Sequence, residues 1–450
     1  MKSIIILIAI AAIGILSGCE KFLEEKPDVK LVVPQTVADL QSILNHPLIY
    51  QDDPAGGERS SDNYYVTSAN WQSMRSEEDK RAYQWAGERI YVTGIDNEWA
   101  RTYNHIYSAN VVLHAFDGVT IQPGEQLAAN IAAGTARFIR GRSIFNALVV
   151  WAPAFDEQNA GQDLGVSLRT DPDVNIPTTR ASVRDCYDQV IADVREAVRL
   201  LPDVSSHPVQ PSKAAASALL ARVFLSMRMY DSALVYADIS IQLKSDLFDL
   251  NNVVNPNATF TVSRFNPEVI YHAEMLAPNL LNTPRAKTDS TLYRSYETDD
   301  LRRTIYFKDN GDGTVGFRAS YSGNNGGFSG LATNEVILMR AECLARKGDT
   351  EPAMQELNRL LQARWRTGSF VPKSAASASD ALLIILNERR KELLLRGLRW
   401  MDIKRLNKEG YNIIQKRMIN GVEYILEPNE RRYALPIPED VIAATGIQQN

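Results

Sequence analysis

The chain has 450 residues, of which 49 are lysine or arginine and 54 are aspartate or glutamate, so its formal net charge is −5. This mild acidity gives no electrostatic basis for general nucleic-acid binding, which needs a surplus of positive charge. Hydrophobic residues make up 45% of the sequence, and the length allows one large domain or up to about three smaller ones.

The N-terminus predicts a lipoprotein signal peptide. Its apolar run from Ile4 to Leu16 would be about 20 Å long as a helix, against the ~30 Å of a bilayer core, so it is too short to span a membrane. The run ends in LSGC, which resembles the lipobox of bacterial lipoproteins. We predict that residues 1–18 are removed, that Cys19 is the lipid attachment site and that residues 19–30 form a tether. The alternative is a plain signal peptide with an incidental cysteine.

Helical periodicity dominates the chain after the tether. Apolar residues recur every three or four positions from Trp99 to Phe116 and from Val183 to Leu201, which is the spacing of one face of an amphipathic helix. A single helical domain is therefore expected over residues 31–450. Its helical hairpins are expected near residues 98–150, 183–243, 334–362 and 379–406.

Two of these segments resemble each other at an offset of 120 residues, with Ala221 aligned on Ala341. Each predicts a helix, a short turn and a second helix, with alanine where two helices would approach closely. This pattern is typical of the tetratricopeptide type of hairpin, although the tryptophan and glycine signature of that repeat is largely missing.

The region near residues 285–330 has a different texture and predicts a loop and hairpin insert. Residues 302–321 alternate in polarity around a Gly, Asn and Asp cluster, which indicates a β-hairpin. The same stretch contains G-x-G-x-x-G, but a strand and not a helix follows it, so we interpret it as a turn rather than a dinucleotide site. Residues 322–330 are rich in glycine and are expected to need a partner to hold one shape.

The last helical region begins at an expected Ser379 cap and continues for about five turns to Gly397. Seven Lys or Arg residues lie between Glu388 and Arg405, interleaved with acidic residues. They indicate either a polyanion site or a set of internal ion pairs, and the alternation of sign favours ion pairs.

No catalytic, metal-binding or cofactor motif occurs in the sequence, and the five histidines are scattered singly. Nothing argues for an enzyme, although a glycosidase stays open because its carboxylate pair is defined in space and not in sequence. Cys186 and Cys343 lie in helical patterns, and we interpret them as buried small side chains rather than as a disulfide.

Aromatic residues indicate where a ligand would bind. Nine of the 24 tryptophans and tyrosines lie within residues 64–107. Flat rings beside polar side chains suit a sugar, whose C–H face stacks on a ring while its hydroxyls form hydrogen bonds. The alternative is that these loop aromatics fold back onto the domain. The predicted ligand contacts are Asp62, Tyr64, Tyr65, Trp71, Arg81, Trp85 and, from the 293–328 segment, Tyr293, Tyr296, Tyr321 and Phe328.

Seven stretches of the chain are informative when taken together: SGCEKFLEEKP, EWARTYNHIYSANVVL, ARFIRGRSIFNALVVWAP, PSKAAASALLARVFLSM, TNEVILMRAECL, NERRKELLLRGLRWMDIKRL and YALPIPEDVI. They resemble the SusD/RagB-like nutrient-binding lipoproteins of the Bacteroidetes outer membrane. In order and spacing they cover the chain from Cys19 to Asn450. The resemblance implies a mainly α fold of four tetratricopeptide-like hairpins, with loops and a few short strands on the ligand face.

The resemblance also implies a function and a partner. It implies a lipid-anchored protein at the cell surface that binds an oligosaccharide and delivers it to a SusC-like TonB-dependent transporter, over which it sits as a lid. Two alternatives within this interpretation are a peptide-binding member of the family and a structural adaptor that binds little itself. The ligand residues of the family lie in variable loops, so none is transferred here by position.

Overall fold

The computed structural model describes residues 34–94, 96–276 and 279–450. The predicted signal peptide, Cys19 and the tether over residues 19–30 lie outside the described residues. Helices dominate the described part and its strands are short, which confirms the mainly α fold class. In those ranges no helix has the length and apolarity needed to cross a bilayer.

Helices and strands are numbered here in chain order over the described residues. The helices are α1 (Val37–Leu44), α2 (Leu48–Gln51), α3 (Gly56–Ser60), α4 (Ser68–Gln72), α5 (Glu77–Tyr83), α6 (Glu98–Ala115), α7 (Gln126–Trp151), α8 (Val183–Leu200), α9 (Lys213–Ser226), α10 (Tyr230–Leu243), α11 (Ser290–Arg294), α12 (Arg302–Ile305), α13 (Thr333–Lys347), α14 (Thr350–Gln362), α15 (Ala378–Glu392), α16 (Arg399–Asn407) and α17 (Glu439–Thr445). The strands are β1 (Tyr64–Tyr65), β2 (Val269–Tyr271), β3 (Glu274–Met275), β4 (Lys287–Thr288), β5 (Phe307–Asp309), β6 (Val315–Phe317), β7 (Gly327–Phe328), β8 (Leu331–Ala332), β9 (Gln415–Ile419) and β10 (Val422–Leu426).

The long helices pack on one another in chain order. Each helix from α6 to α10 contacts the next, α10 contacts α13, and α13 contacts α14 and α15. Ala221 and Ala341 are fully buried, as expected where two helices approach closely. Cys186 and Cys343 are buried and free, which confirms their interpretation as small core side chains. This arrangement is compatible with tetratricopeptide-like hairpins.

Local chemistry sets the ends of the stacked helices. The Ser212 side chain accepts a hydrogen bond from the backbone N–H of Ala215 and caps the start of α9. Gly348, at φ +97°, ends α13 in the left-handed conformation that glycine adopts most easily. Helix α14 begins two residues later, so α13 and α14 form a tight hairpin.

The bounds predicted for α15 were wrong at both ends. The helix is capped by Ser377, whose side chain accepts from the N–H of Asp380, and not by Ser379. It ends at Glu392, short of Gly397, because the chain turns through Leu395 and Gly397, both at positive φ, before α16 begins. This turn returns α16 to the core.

Ion pairs connect α15 and α16 to the rest of the domain. Arg389 donates to Asp402 at 2.8 Å, and Arg405 donates to Glu342 of α13 at 2.6 Å. Arg302 of α12 pairs with Glu388 at 2.7 Å. These pairs confirm the ion-pair interpretation of the charged segment.

The strands form two-stranded units, most of them between α10 and α13. Strands β5 and β6 form the predicted antiparallel hairpin, with Phe307 opposite Phe317. It is shorter than the predicted range of 302–321, because residues 302–305 are helical (α12) and β6 ends at Phe317. Gly311 and Gly313 lie in its turn at φ +78°, which confirms that the G-x-G-x-x-G run is a turn. Strands β2 and β3 pair with β8 and β7, so the insert is tied to the start of α13.

Candidate ligand-binding site

A cleft of about 300 Å³ opens in the insert, and it is called the hairpin cleft below. Its walls are the β5–β6 hairpin, residues 281–284 and the loop at residues 320–327. This volume is at the lower end of the range found for ligand pockets. The lining side chains that carry a ring, an amide or a charge are Phe260, Phe317, Asn282, Asn310, Asn324, Asn325, Lys308, Asp309 and Arg318.

One wall is fixed by a close approach between β6 and the segment before β4. A Cβ atom at Gly316 would lie 2.5 Å from Cγ2 of Thr283, so only glycine fits there. The Thr283 hydroxyl donates to the carbonyl of Phe317 at 2.7 Å. The hairpin is therefore held against this segment by both shape and a hydrogen bond.

The opposite wall is the glycine-rich loop, which hydrogen bonds and strand pairing connect to the rest of the insert; that it needs a partner to hold one shape stays a prediction. The hydroxyls of Ser320 and Ser322 both donate to the carbonyl of Gly326. Directly after this turn, β7 pairs with β3, with Gly327 opposite Met275. The loop is therefore in contact with its own side chains and, through strand pairing, with another part of the chain.

Two half-buried rings line the hairpin cleft. Phe317 packs against Tyr306 and Phe307, with ring centroids 5.9 and 6.4 Å away. Phe260 differs, because among the described residues it joins no core cluster and no aromatic pair. A large apolar ring that packs on no core, in a pocket wall, is free to contact a ligand.

Amide side chains lie beside these rings. Asn325 is exposed, and its amide has no hydrogen-bond partner within the described ranges. Asn310 donates to the Thr314 hydroxyl at 3.0 Å, which orients its amide at the cleft wall. An amide offers both a donor and an acceptor, so it can pair with a hydroxyl in either role.

A second cleft of about 270 Å³ shares Leu276 with the hairpin cleft. Arg59 is its buried centre and pairs with Glu78 at 2.6 Å and Glu98 at 2.8 Å. Burial raises the pKa of Glu78 above its usual value, and the Arg59 charge opposes this shift. Across the described residues no cluster of His, Cys, Asp and Glu is arranged to hold a metal ion.

Five of the sequence-predicted site residues are buried, each 4% exposed or less: Tyr64, Trp85, Tyr296, Tyr321 and Phe328. Their polar atoms are satisfied within the protein, as when the Trp85 indole N–H donates to the carbonyl of Ser60 at 2.9 Å. In this conformation no ring face is left for a ligand, so these side chains belong to the core. These five side chains follow the alternative given in the sequence analysis, in which loop aromatics fold back onto the domain.

The other predicted residues keep part of their surface exposed but lie outside the hairpin cleft: Asp62, Tyr65, Trp71, Arg81 and Tyr293. Asp62 is paired with arginines, and Arg81 donates to the carbonyl of Arg89 at 2.7 Å. Trp71 lies beside the core, with the Lys80 ammonium 5.4 Å from its ring centroid. Ligand contact by these five stays a prediction.

Sequence reasoning missed Phe260 and, although it named the 293–328 segment, did not single out Lys308, Arg318 and Asn325 within it. Phe260 follows NPNAT, a polar stretch with turn residues and no periodicity. A lone ring in such a stretch is the same signal that was applied to residues 64–85, and it would have found Phe260.

Comparison with known families places the chain in one superfamily along most of its length. Residues 21–225 match a family described as "Starch-binding associating with outer membrane". Residues 286–450 match the SusD family.

Individual proteins show the same similarity. SusD-like protein P2 of Formosa agariphila is 26% identical over 408 residues, which cover 76% of each chain. A SusD superfamily protein of Bacteroides thetaiotaomicron has a TM-score of 0.73 at 22% identity, covering 92% of this chain and 99% of that one. A SusD-like carbohydrate binding protein of Bacteroides vulgatus has a TM-score of 0.68 at 18% identity, covering 92% and 97%. The chain therefore belongs to the SusD/RagB-like family of outer-membrane nutrient-binding proteins.

Proposed function

We propose that this protein captures an oligosaccharide in the hairpin cleft and delivers it to a SusC-like TonB-dependent transporter. In this role it is anchored through Cys19 to the outer membrane, faces the cell exterior and acts as the lid of the transporter. It binds its cargo without transforming it, as SusD-like proteins do. The observation that carries the proposal is that Phe260, a ring outside every core cluster of the described residues, lines the same cleft as the unpartnered amide of Asn325 and the amide of Asn310.

The chemistry of the cleft suits a sugar. A pyranose ring presents C–H groups on its faces and hydroxyls around its edge, so it needs a flat apolar surface and nearby polar groups. Phe260 and Phe317 supply the apolar surface. Asn325 and Asn310 supply donors and acceptors at the edge.

The family supports the same class of ligand. One matching family is described as starch-binding, and one structural relative as a carbohydrate binding protein.

Delivery to a transporter also sets a limit on affinity, because a carrier must release its cargo. We expect dissociation constants from about 1 mM to 1 μM, or roughly −4 to −8 kcal/mol.

A binding screen tests the ligand class. The full-length chain, purified in detergent, is titrated by calorimetry with neutral and acidic oligosaccharides and with mixed peptides. Phe260→Ala is expected to weaken oligosaccharide binding by about 1 to 3 kcal/mol, because a ring that stacks on a sugar is lost. Phe370→Ala is the matched control, since Phe370 is also half-buried but packs on Trp365 away from the cleft.

Any other outcome of the screen would indicate a different site or a different function. Oligosaccharide binding that is unchanged in Phe260→Ala would move the site out of the hairpin cleft. Binding of peptides alone would identify a peptide-capture protein. A stable complex with the transporter and no ligand at all would identify an adaptor, and release of reducing sugar by the pure protein would identify a glycosidase.

Anchor and partner are tested separately in cells. Cys19→Ala should release the mature protein from the membrane fraction, because acyl chains contribute about 0.8 kcal/mol per buried methylene. The SusC-like transporter should co-purify with the wild-type protein from solubilised outer membranes. If the Cys19→Ala variant stayed in the membrane fraction of cells that lack the transporter, the assignment of Cys19 as the lipid anchor would be contradicted.

A further inference from the structure

The hairpin cleft carries more positive than negative charge, although the whole chain is acidic. Lys308 and Arg318 line it, and Asp309 is the single carboxylate among its described lining residues. The chain as a whole has a net charge of −5. A local surplus of cations on an acidic protein is a specific feature of this cleft and not a general property of the surface.

Arg318 holds its charge without a counter-ion. Its guanidinium donates to the carbonyls of Pro256 and Thr304, both at 2.8 Å, and to that of Ala258 at 3.2 Å. No carboxylate oxygen of the described residues lies within 4.0 Å of it. Burial lowers the pKa of Arg318 below its usual value. Neutral carbonyls orient the group but leave its positive charge available to an incoming anion.

Lys308 is also unpaired among the described residues, and it is exposed on β5. The neighbouring carboxylates are already engaged. Asp309 accepts from the N–H of Gly311 at 2.8 Å within the hairpin turn. Asp312 pairs with Lys287 at 2.9 Å, which neutralises the other acidic residue of that turn. The lining of the cleft therefore presents two cations against one carboxylate, a local surplus of one positive charge.

The second cleft, around Arg59, has the opposite balance. Glu78, Asp79 and Glu98 all lie within 3.4 Å of the single guanidinium of Arg59. An anionic ligand would be repelled there and attracted into the hairpin cleft. The two clefts together would therefore confine an acidic group to the side of Lys308 and Arg318.

We propose that the hairpin cleft takes an acidic oligosaccharide, whose carboxylate or sulfate groups lie beside Lys308 and Arg318 while a sugar ring packs on Phe260. This inference rests on the proposed function and deepens it by naming the class of sugar. Carboxylate and sulfate share the required chemistry, a planar or tetrahedral set of anionic oxygens that accept from guanidinium and ammonium groups.

The test compares each acidic oligosaccharide with its uncharged counterpart. The full-length chain in detergent is titrated with oligogalacturonates and their methyl esters, and with sulfated galactan oligosaccharides and their desulfated forms. The acidic member of one pair is expected to bind about tenfold tighter at 50 mM NaCl. The preference should shrink at 500 mM NaCl, because salt screens a partly exposed charge pair. The pair that responds distinguishes carboxylate from sulfate.

Two substitutions in the cleft and one control outside it locate the effect. Lys308→Gln removes an exposed charge and should reduce the preference for the acidic member by about three- to tenfold. Lys416→Gln removes the same charge from β9, outside the cleft, and should leave the preference unchanged. Arg318→Lys keeps the charge but loses the fork of donors, and its thermal unfolding is measured in parallel to show that the fold is intact.

The outcomes separate this inference from the proposed function. Both members of every pair could bind equally well, with binding lost in Phe260→Ala and unaffected by Lys308→Gln. This result would overturn the acidic class of ligand but would still support oligosaccharide capture. Binding of no oligosaccharide at all would overturn the proposed function itself. A preference for acidic sugars that stays at full size in Lys308→Gln would place the anion elsewhere and also overturn the inference.

Discussion

Arg399 donates two hydrogen bonds to the carboxylate of Asp62, from Nε to Oδ1 at 2.6 Å and from Nη2 to Oδ2 at 2.8 Å. Arg390 of α15 adds a third contact, with Nη2 at 3.3 Å from Oδ2. These two arginines hold the pKa of Asp62 well below its usual range, against the effect of burial. A carboxylate engaged by two arginines joins α15 and α16 to the segment before β1, so Asp62 acts here in stability.

Asp62→Asn should lower the free energy of unfolding by about 1 to 3 kcal/mol, because both arginines lose their charged partner in a partly buried site. The contribution of Asp62 is present above its unfolded pKa of about 4 and is lost as the pH falls toward the lower folded value. Urea unfolding at pH 7 measures the loss. Glu423→Gln breaks an exposed pair of 3.9 Å with Lys416, and should change stability by about 0.5 kcal/mol or less.

Trp85→Ala should destabilise the protein by about 3 to 5 kcal/mol, as for other large aromatic residues removed from a core. The Trp85 side chain is 1% exposed, and the Arg417 guanidinium lies 4.3 Å from its ring centroid. Trp71→Ala should cost less, because Trp71 is only half-buried. Thermal unfolding ranks the two. A Trp85→Ala variant as stable as wild type but unable to bind oligosaccharide would return Trp85 to the ligand site.

The helical part of the fold could be predicted because its determinants are local. The spacing of Trp99 and Ile106 fixes which face of α6 is buried, and both side chains are buried in the structure. The β5–β6 hairpin was equally predictable, because Gly311 and Gly313 fix its turn by positive φ. Each of these features depends on residues that are neighbours in the sequence.

The site could not be predicted to the same extent, because burial of a loop aromatic depends on distant partners. Tyr321 looks exposed in a polar, glycine-rich stretch, yet its hydroxyl donates to Glu268 at 2.6 Å and the Arg396 guanidinium lies 5.1 Å from its ring centroid. Phe260 looks no different in sequence, but no comparable partner reaches it among the described residues. Sequence composition located the aromatic segments without showing which rings the fold covers.

The start of α15 gives a direct test of helix capping. Ser377→Ala should lower the free energy of unfolding by about 1 kcal/mol, because the N–H of Asp380 loses its acceptor. Ser379→Ala should have little effect, since Ser379 lies inside the first turn and is exposed. Urea unfolding of the two variants measures the difference. Equal losses, or a larger loss in Ser379→Ala, would contradict the assignment of Ser377 as the cap.

His105 should make stability depend on pH. Burial lowers the pKa of His105 to about 4, with Arg142 acting in the same direction and Asp53 opposing it. The unfolded chain binds a proton near pH 6.5, whereas the folded protein does so only near pH 4. Between these values the unfolded state holds more protons, so stability falls as the pH falls from 6.5 to 4.

The expected loss is at most about 3 kcal/mol, at ~1.4 kcal/mol for each pKa unit. It should be absent in His105→Gln, whose side chain does not titrate, so the difference between wild type and variant must shrink across this range. His46→Gln replaces an exposed histidine and serves as the control. The measurement is urea unfolding at half-unit steps from pH 4 to 7. A wild-type profile that runs parallel to that of His105→Gln would show that His105 charges as easily in the folded protein as in the unfolded chain.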